Sequence, residues 1–392
     1  MTDGIDTERV TPWLLANVDG VTAPLSYDLI AGGHSNLTFT VTDAAARRLV
    51  LRRPPLSHVL STAHDMSREY RIISALRDTP VPVPAALAYC ADEAVNGRPF
   101  YVMDFVDGYV LRGAAQTQAA LDPQTRRVTG DDLVDVLVAI HQVDVDAVGL
   151  GTLARRDGYI ERQLRRWHGQ FQQSQQQERE AGLHRSLPVV DDVHDLLAQR
   201  VPAQVGTAVV HGDYRLDNTV VTADGRVAAV LDWELCTLGD PLADLGTLMM
   251  YWADGPDDKP PVPGLPDEAG NAALPKAGNA APPEAGNAAL PEAGNAAPPE
   301  AGTSTGASVA ATALPGFPSR AELARRYAAR SGRDLTGLNF YLAFAHWKLA
   351  CIMEGVYVRY ATHAMGGDPG DIEVLGAAVA EHAQQAAEAL EA

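Results

Sequence analysis

Apolar and polar residues alternate in short runs over the first hundred positions. Tyr27 to Ile30, Leu37 to Val41 and Leu49 to Arg52 each carry the two-residue period of a strand. The polar, glycine-containing stretch Ala31-Gly32-Gly33-His34-Ser35-Asn36 forms a turn between the first two. Pro54 and Pro55 stop the sheet. From Ser57 to Arg77 the apolar residues Val59, Met66, Tyr70, Ile73 and Leu76 follow helical spacing, and Pro80, Pro82 and Pro84 punctuate the end. Phe100 to Phe105 reads as a further strand, closed by Asp107-Gly108.

Beyond that point the period lengthens. Asp131 to His141 places Leu133, Val134, Leu137 and Ile140 on one stripe of a helix. Tyr159 to Gln177 is a second helix, polar and rich in Arg and Gln. Ala208 to Val210 is a short strand running into His211-Gly212-Asp213. Thr219 to Val221 and Val227 to Leu231 make a hairpin around Asp224-Gly225. Helices are predicted over 241–252, 319–330, 338–361 and 371–391. Between about Gly264 and Gly302 the unit P-E-A-G-N-A-A recurs, as at Pro283, Pro291 and Pro299. Such a unit has almost nothing to bury, so it suits neither a solenoid nor a packed core. Residues 254–317 therefore read as a disordered low-complexity insertion.

Composition narrows the picture. A chain of 392 residues is long for one compact core, which favours two lobes: 1–106, and 107–392 interrupted by the insertion. The net charge of −19 argues against nucleic acid or an anionic membrane as partner. No apolar run is long enough to span a bilayer, and the N-terminal MTDGIDTERV is too acidic for a secretory signal. Cys90, Cys236 and Cys351 are scattered, without metal-ligand spacing, as expected of a cytoplasmic protein. Oligomeric state leaves no mark on the sequence. The only lysines are Lys259, Lys276 and Lys348.

Chemistry concentrates in His211-Gly212-Asp213-Tyr214-Arg215-Leu216-Asp217-Asn218 and Leu231-Asp232-Trp233-Glu234. Phosphoryl transfer needs a carboxylate to orient and deprotonate the attacking hydroxyl, and hard oxygen ligands for magnesium on the phosphates. An Asp with an Asn five residues on, and a second Asp closing the following hairpin, supply both. This pattern resembles the catalytic and metal-binding loops of the aminoglycoside phosphotransferase and choline kinase superfamily. Gly239-Asp240-Pro241-Leu242-Ala243-Asp244 resembles the segment that follows them. The resemblance implies an α+β, bilobal protein-kinase-like fold: a small antiparallel sheet with one helix, then a larger, mostly helical lobe. It implies an ATP- and Mg2+-dependent phosphotransferase with an alcohol acceptor. Asp213 is then the base, Asn218 and Asp232 hold Mg2+, and His211 braces the loop. Asp240 and Asp244 are read as helix caps and loop ties.

The first lobe is then expected to hold ATP. The turn Gly33, His34, Ser35 and Asn36 stands where a phosphate-covering loop belongs. Asp104, Phe105 and Val106 form the hinge that meets adenine. Protein kinases place a Lys on the third strand, paired with a helical Glu. Here Arg52, or else Arg53, stands in that place, with Glu69 as its partner. Strand alternation lets only one of the two arginines point inward.

The acceptor is expected to be a small molecule. Arg162 and Arg166 share a helix face before Trp167. With Glu234 they are the candidate acceptor contacts. A basic patch suits an anionic acceptor, although it reads equally as a solvated face paired with Glu161. Leu51-Arg52-Arg53-Pro54-Pro55 and the Arg162 to Trp167 run resemble the kinase-like domain found fused to some acyl-CoA dehydrogenases. That domain is associated with phosphorylation of hydroxylated acyl-CoA compounds. The alternatives are an aminoglycoside-modifying kinase, which needs an acidic pocket, and a non-catalytic nucleotide-binding module, suggested by the missing Lys. A protein kinase ranks last, for want of an activation segment after Asp232.

Overall fold

The computed structural model describes residues 4–32, 36–55, 65–183, 185–255, 310–362 and 372–391. Gly33, His34 and Ser35 of the expected phosphate loop, the start of the predicted helix at 57–64, and residues 256–309 of the repeat segment lie outside the described residues.

The N-terminal part opens with a helix the sequence reading does not place, Thr7–Asn17 (α1), capped by the Asp6 side chain on the Arg9 amide. Strands Ser26–Gly32 (β1), Leu37–Thr42 (β2) and Arg48–Arg53 (β3) follow, then helix Met66–Leu76 (α2). Strand Ala86–Cys90 (β4), the single turn Glu93–Asn96 (α3) and strand Phe100–Asp104 (β5) complete the unit. The strands form one antiparallel sheet in the order β1-β2-β3-β5-β4. Alternation along β3 and β5 divides their side chains between two covered faces. Leu49, Leu51, Phe100 and Val102 pack with Val10 and Leu14 of α1. Val50, Tyr101 and Met103 pack with Ile72, Ile73 and Leu76 of α2.

This corrects the expectation for the two arginines. With α1 closing the second face, both turn inward, on opposite sides of the sheet. Arg53 is 4% exposed and donates to the carbonyls of Gly4 and Asn96. It is a structural residue under α1. Arg52 takes the α2 face.

The larger part is helical: Ala114–Ala120 (α4), Pro123–His141 (α5), Tyr159–Glu180 (α6), Pro188–Gln199 (α7), Leu242–Tyr251 (α8), Arg320–Ser331 (α9), Leu338–Ala361 (α10) and Ile372–Glu391 (α11). Helix α5 starts earlier than predicted because Asp122 caps it and Pro123 occupies its first position. Helix α10 is apolar on nearly every side and lies against α6, α7, α8 and α11. Its Trp347 indole donates to the Val190 carbonyl of α7 at 2.9 Å. Two small ladders sit between the helices. Ala208–Val210 (β6) pairs with Thr237–Gly239 (β9), and Thr219–Val221 (β7) with Val227–Val230 (β8), all antiparallel. No helix among the described residues is long and apolar enough to cross a membrane. All three cysteines are buried and free.

The limits expected for the insertion, 254–317, are too wide. Residues 310–317 are packed: Ala311, Thr312 and Ala313 are buried, and the Thr312 hydroxyl accepts from the Ala253 amide at 2.9 Å. The Trp252 indole donates to the Pro318 carbonyl, and Asp254 accepts from the Arg320 amide at 2.6 Å. The segment returns to the core because Trp252 and Ala311–Ala313 bury apolar surface there.

Candidate active site

The two ladders present two loops side by side. Strand β6, buried throughout, delivers His211-Gly212-Asp213, and β7 resumes after Asn218. Strand β8 delivers Leu231 and Asp232 before β9. Gly212 has φ +89°, and a Cβ there would meet the Leu235 carbonyl oxygen at 2.9 Å, so only glycine fits. Asp244, fully buried at the start of α8, accepts from the amides of His211 (2.6 Å) and Gly212 (2.8 Å). Burial alone would raise its pKa. The hydrogen bond and charge of His141, then His211 and the Gly212 amide, outweigh burial and hold it below the usual carboxylate range. His211 receives the Asp213 amide on Nδ1 at 3.2 Å and meets the Leu231 carbonyl at Nε2, 2.8 Å away. Because an amide only donates and a carbonyl only accepts, Nδ1 is the acceptor and Nε2 the donor in these two contacts. It fastens the Asp213 loop to the Asp232 loop. Asp240 accepts from the Leu242 amide and the Tyr341 hydroxyl, a cap and a tie as expected.

Asp213, Asn218 and Asp232 are brought together by these loops. Asn218 Nδ2 donates to Asp213 Oδ2 at 2.8 Å and to the Asp213 carbonyl at 2.9 Å. Both partners are acceptors, which fixes the amide orientation and turns Asn218 Oδ1 away from Asp213. The Asn218 carbonyl accepts from the Leu231 amide at 2.8 Å. Asp232 sits at φ 63°, ψ 62°, a left-handed conformation that Asp tolerates better than most residues. Its side chain is 31% exposed. An aspartate carboxylate and an amide oxygen fit magnesium, which takes few protein ligands and fills its shell with phosphates and water. No group of three or more His, Cys, Asp or Glu able to hold a metal occurs among the described residues.

Arg52 lies at the junction of the two lobes. Its Nε is 3.3 Å from Glu69, its Nη2 is 2.5 Å from Asp232 Oδ1, and the same nitrogen is 3.9 Å from Glu234. Burial would weaken its hold on its proton; Glu69 and then Asp232 more than reverse that, leaving it well above the usual arginine value. Glu69, 2% exposed, is pushed up by burial and pulled down by Arg52, with burial prevailing. Asn36 Nδ2 donates to Glu234 at 3.0 Å, while Asn36 Oδ1 is buried without a hydrogen-bond partner. Glu234, expected either to support the loop or to face the acceptor, turns toward Asn36 and Arg52 on the sheet side of the cleft, because the short helical turn after Asp232 swings it that way.

At the hinge, the Asp104 amide donates to the Ala85 carbonyl at 2.9 Å and the Phe105 amide to the Arg48 carbonyl at 3.4 Å. The Asp104 carboxylate pairs with Arg47 at 3.0 Å. Phe105 lies under the Arg48 guanidinium, and Phe105 and Val106 are half-exposed.

On the other side of Asp213 stand cations. Lys348 of α10, 8% exposed, donates to the Gly212 carbonyl at 2.6 Å and lies 5.5 Å from the Trp167 ring. Burial lowers its pKa, opposed by the charges of Asp213 and Asp244. Arg166 stacks on the same Trp167 ring at 4.7 Å. Desolvation lowers its pKa; Tyr159 opposes that and Arg68 adds to it. Arg68 spans the cleft from α2 to the carbonyls of Leu153 and Cys236. Arg215 Nε is 3.3 Å from Asp213 Oδ2. Trp167, 5% exposed, is the platform for Lys348 and Arg166. Arg162 is not part of the group. Its guanidinium donates to the carbonyls of Asp157 and Arg155, tying down the loop that enters α6. Lys348 is the residue the sequence reading passed over. The available signal was a lone Lys in a long apolar helix.

The family model for the phosphotransferase enzyme family (APH) matches residues 26–276. Mouse acyl-CoA dehydrogenase family member 10 is 31% identical over 344 residues, which are 87% of this chain and 27% of the mouse protein. Human acyl-CoA dehydrogenase family member 11 is 30% identical over 86% of this chain and 37% of its own length. The chain thus spans about a quarter to two fifths of these relatives. Among solved structures, a candidate aminoglycoside phosphotransferase from Ralstonia eutropha is 32% identical with a TM-score of 0.71, covering 98% of each chain. Choline kinase from Cryptosporidium parvum, at 10% identity and a TM-score of 0.60, shares the fold. With this match and these loops in place, the chain belongs to the phosphotransferase enzyme family.

Proposed function

We propose that the protein transfers the γ-phosphate of ATP to an alcohol hydroxyl of a small anionic molecule. The observation that carries the reaction is the convergence of Asp213, Asn218 and Asp232 on adjacent loops, with Arg52 of β3 and Glu69 of α2 facing them from the first lobe. Asp213 takes the proton of the attacking hydroxyl, and Asn218 holds its carboxylate in place. Asn218 Oδ1 and Asp232 would hold Mg2+, which neutralises charge on the phosphates. Of the hinge positions, Asp104 and Phe105 spend their amides within the sheet, so Val106 is the position whose amide adenine would meet. Arg52 is the phosphate-directed cation of the first lobe, in place of the usual Lys.

The acceptor half of the proposal rests on Lys348 and Arg166 over Trp167, next to the Gly212–Asp213 peptide. Two cations beside the base favour an anion and disfavour an aminoglycoside polycation. The names of the relatives make a hydroxyacyl-CoA ester, with its phosphates, the first acceptor to try. The test is magnesium-dependent ATP consumption against hydroxyacyl-CoA esters, simple sugar phosphates, choline and aminoglycosides, with Asp213→Asn as control. Turnover on an anion supports the reading. Turnover confined to aminoglycosides or choline would sink the acceptor half, and failure to bind ATP would sink the whole.

A further inference from the structure

Arg52 occupies an oxygen that a metal ion would need. In the resting arrangement its Nη2 lies 2.5 Å from Asp232 Oδ1, in direct hydrogen-bond contact across the cleft. Its Nε faces Glu69 at 3.3 Å, so one edge of the guanidinium fork serves two carboxylates held on opposite lobes. A lysine ammonium is a single point and cannot present such an edge. We propose that Arg52 is the resident counter-ion of Asp232, displaced only when nucleotide phosphates draw the guanidinium away, so that divalent metal and nucleotide bind as one coupled event. This rests on the phosphotransferase reading above.

The charges around Asp232 support the coupling. Asp232, Glu69 and Glu234 together bring three negative charges to one side chain that is 13% exposed. A bare divalent cation arriving at Asp232 must displace a formed ion pair and then sit beside a like charge. Both opposing effects vanish if the guanidinium has a phosphate to turn to, because Arg and phosphate pair through two parallel hydrogen bonds. The charge of Glu69, 3.3 Å from Nε, keeps Arg52 at the junction during the exchange, so the movement required is a swing of the outer nitrogens, not a withdrawal of the side chain.

The experiment is a Mn2+ titration of the full chain, read from the EPR signal of free Mn2+, with and without a non-hydrolysable ATP analogue. Arg52→Gln alone leaves the buried Glu69 without its cation, so the informative variant is Arg52→Gln/Glu69→Gln, with folding checked by circular dichroism and melting. In the unaltered protein Mn2+ alone is expected to bind weakly, and the analogue to tighten it tenfold or more. In the double variant Mn2+ alone is expected to bind at least tenfold tighter than in the unaltered protein, and the tightening by the analogue to shrink. Equal affinity for Mn2+ alone in the two proteins, with tightening by the analogue intact in both, would overturn the role of Arg52 and leave the phosphotransferase reading standing. If neither protein binds Mn2+ even with the analogue present, the metal site itself is wrong, and the inference falls with it.

Discussion

Asn218 holds Oδ2 of Asp213 at 2.8 Å through an amide whose orientation admits no alternative. The asparagine thus serves two loops at once: its nitrogen holds the Asp213 carboxylate and its backbone carbonyl holds Leu231, one residue before Asp232. Replacing Asp213 with Asn removes the proton acceptor at almost constant volume. Turnover should fall about 10²–10⁴-fold, the range for a lost general base. Nucleotide affinity should stay near that of the unaltered protein. Steady-state rates and a nucleotide titration would read the two separately, and turnover persisting in Asp213→Asn would exclude it as base.

Asp244 is a stability residue for the same loop. Asp244→Ala leaves two buried backbone amides and the His141 imidazole without their acceptor. At about 1–3 kcal/mol for each buried group left unsatisfied, the expected loss is about 3 kcal/mol or more. A denaturant melt should show it, with activity lost in parallel. Asp244→Asn, which keeps one acceptor oxygen, should lose less.

Lys348 and Arg166 should act on the acceptor and not on the nucleotide. Lys348→Met and Arg166→Gln are each expected to raise the KM for an anionic acceptor by about 10–100-fold, as for a lost charge-assisted hydrogen bond. The KM for ATP should change little. An unchanged acceptor KM in both variants would reduce the two cations to scaffolding.

Acid should loosen the contact between α10 and α11. His346 and His382 face each other there at 3.1 Å between their Nδ1 atoms, and both are buried. Burial, then His382 and Arg320, push His346 down to about 3. The unfolded chain takes up a proton near pH 6.5, while the folded chain resists until far lower. Stability contributed by the neutral ring is therefore complete above about pH 6.5 and declines as pH falls toward 3, by up to about 1.4 kcal/mol per pH unit. Melting temperature measured from pH 7 to 4 should fall less steeply in His346→Gln than in the unaltered protein.

Deleting 264–302 should leave the fold intact. The chain is pinned on both sides of the repeat, at Asp254–Arg320 and Ala253–Thr312. Shortening the connection about three- to fourfold should favour folding by about 1 kcal/mol from loop closure alone. A large drop in melting temperature would show that the repeat contributes packing.

The loops of the candidate site could be singled out in the sequence because their pattern is local: Asp213, Asn218 and Asp232 lie within twenty residues and stand out by type and spacing. Strands β6 and β7 and helices α8 to α11 were also placed from the sequence, with β6 a short apolar run and α10 a long one. Helix α1 was not, because Pro12 interrupts a pattern that is otherwise amphipathic. Strand β4 was hidden by the prolines before it, which read as punctuation. Without α1 the second face of the sheet looked open, and the roles of Arg52 and Arg53 were left undivided. The acceptor side was harder still. Lys348 comes 135 positions after Asp213, and only the packing of α10 against α6 brings it to the Gly212 carbonyl. Arg162 and Arg166 have the same spacing on the helix as a shared site requires, yet the carbonyls of the incoming loop claim one of them.

The left-handed backbone at Asp232 limits which residues can stand there. At φ 63° few side chains are at ease, and those that also carry a hard oxygen reduce to Asp and Asn. The position has an alphabet of two letters for function, with Gly as a third for folding alone. Alanine, the customary probe, would change the conformation of the loop together with its charge. Comparing Asp232→Asn with Asp232→Gly separates the two: the first keeps the shape and removes the charge, and the second keeps the turn and removes the side chain.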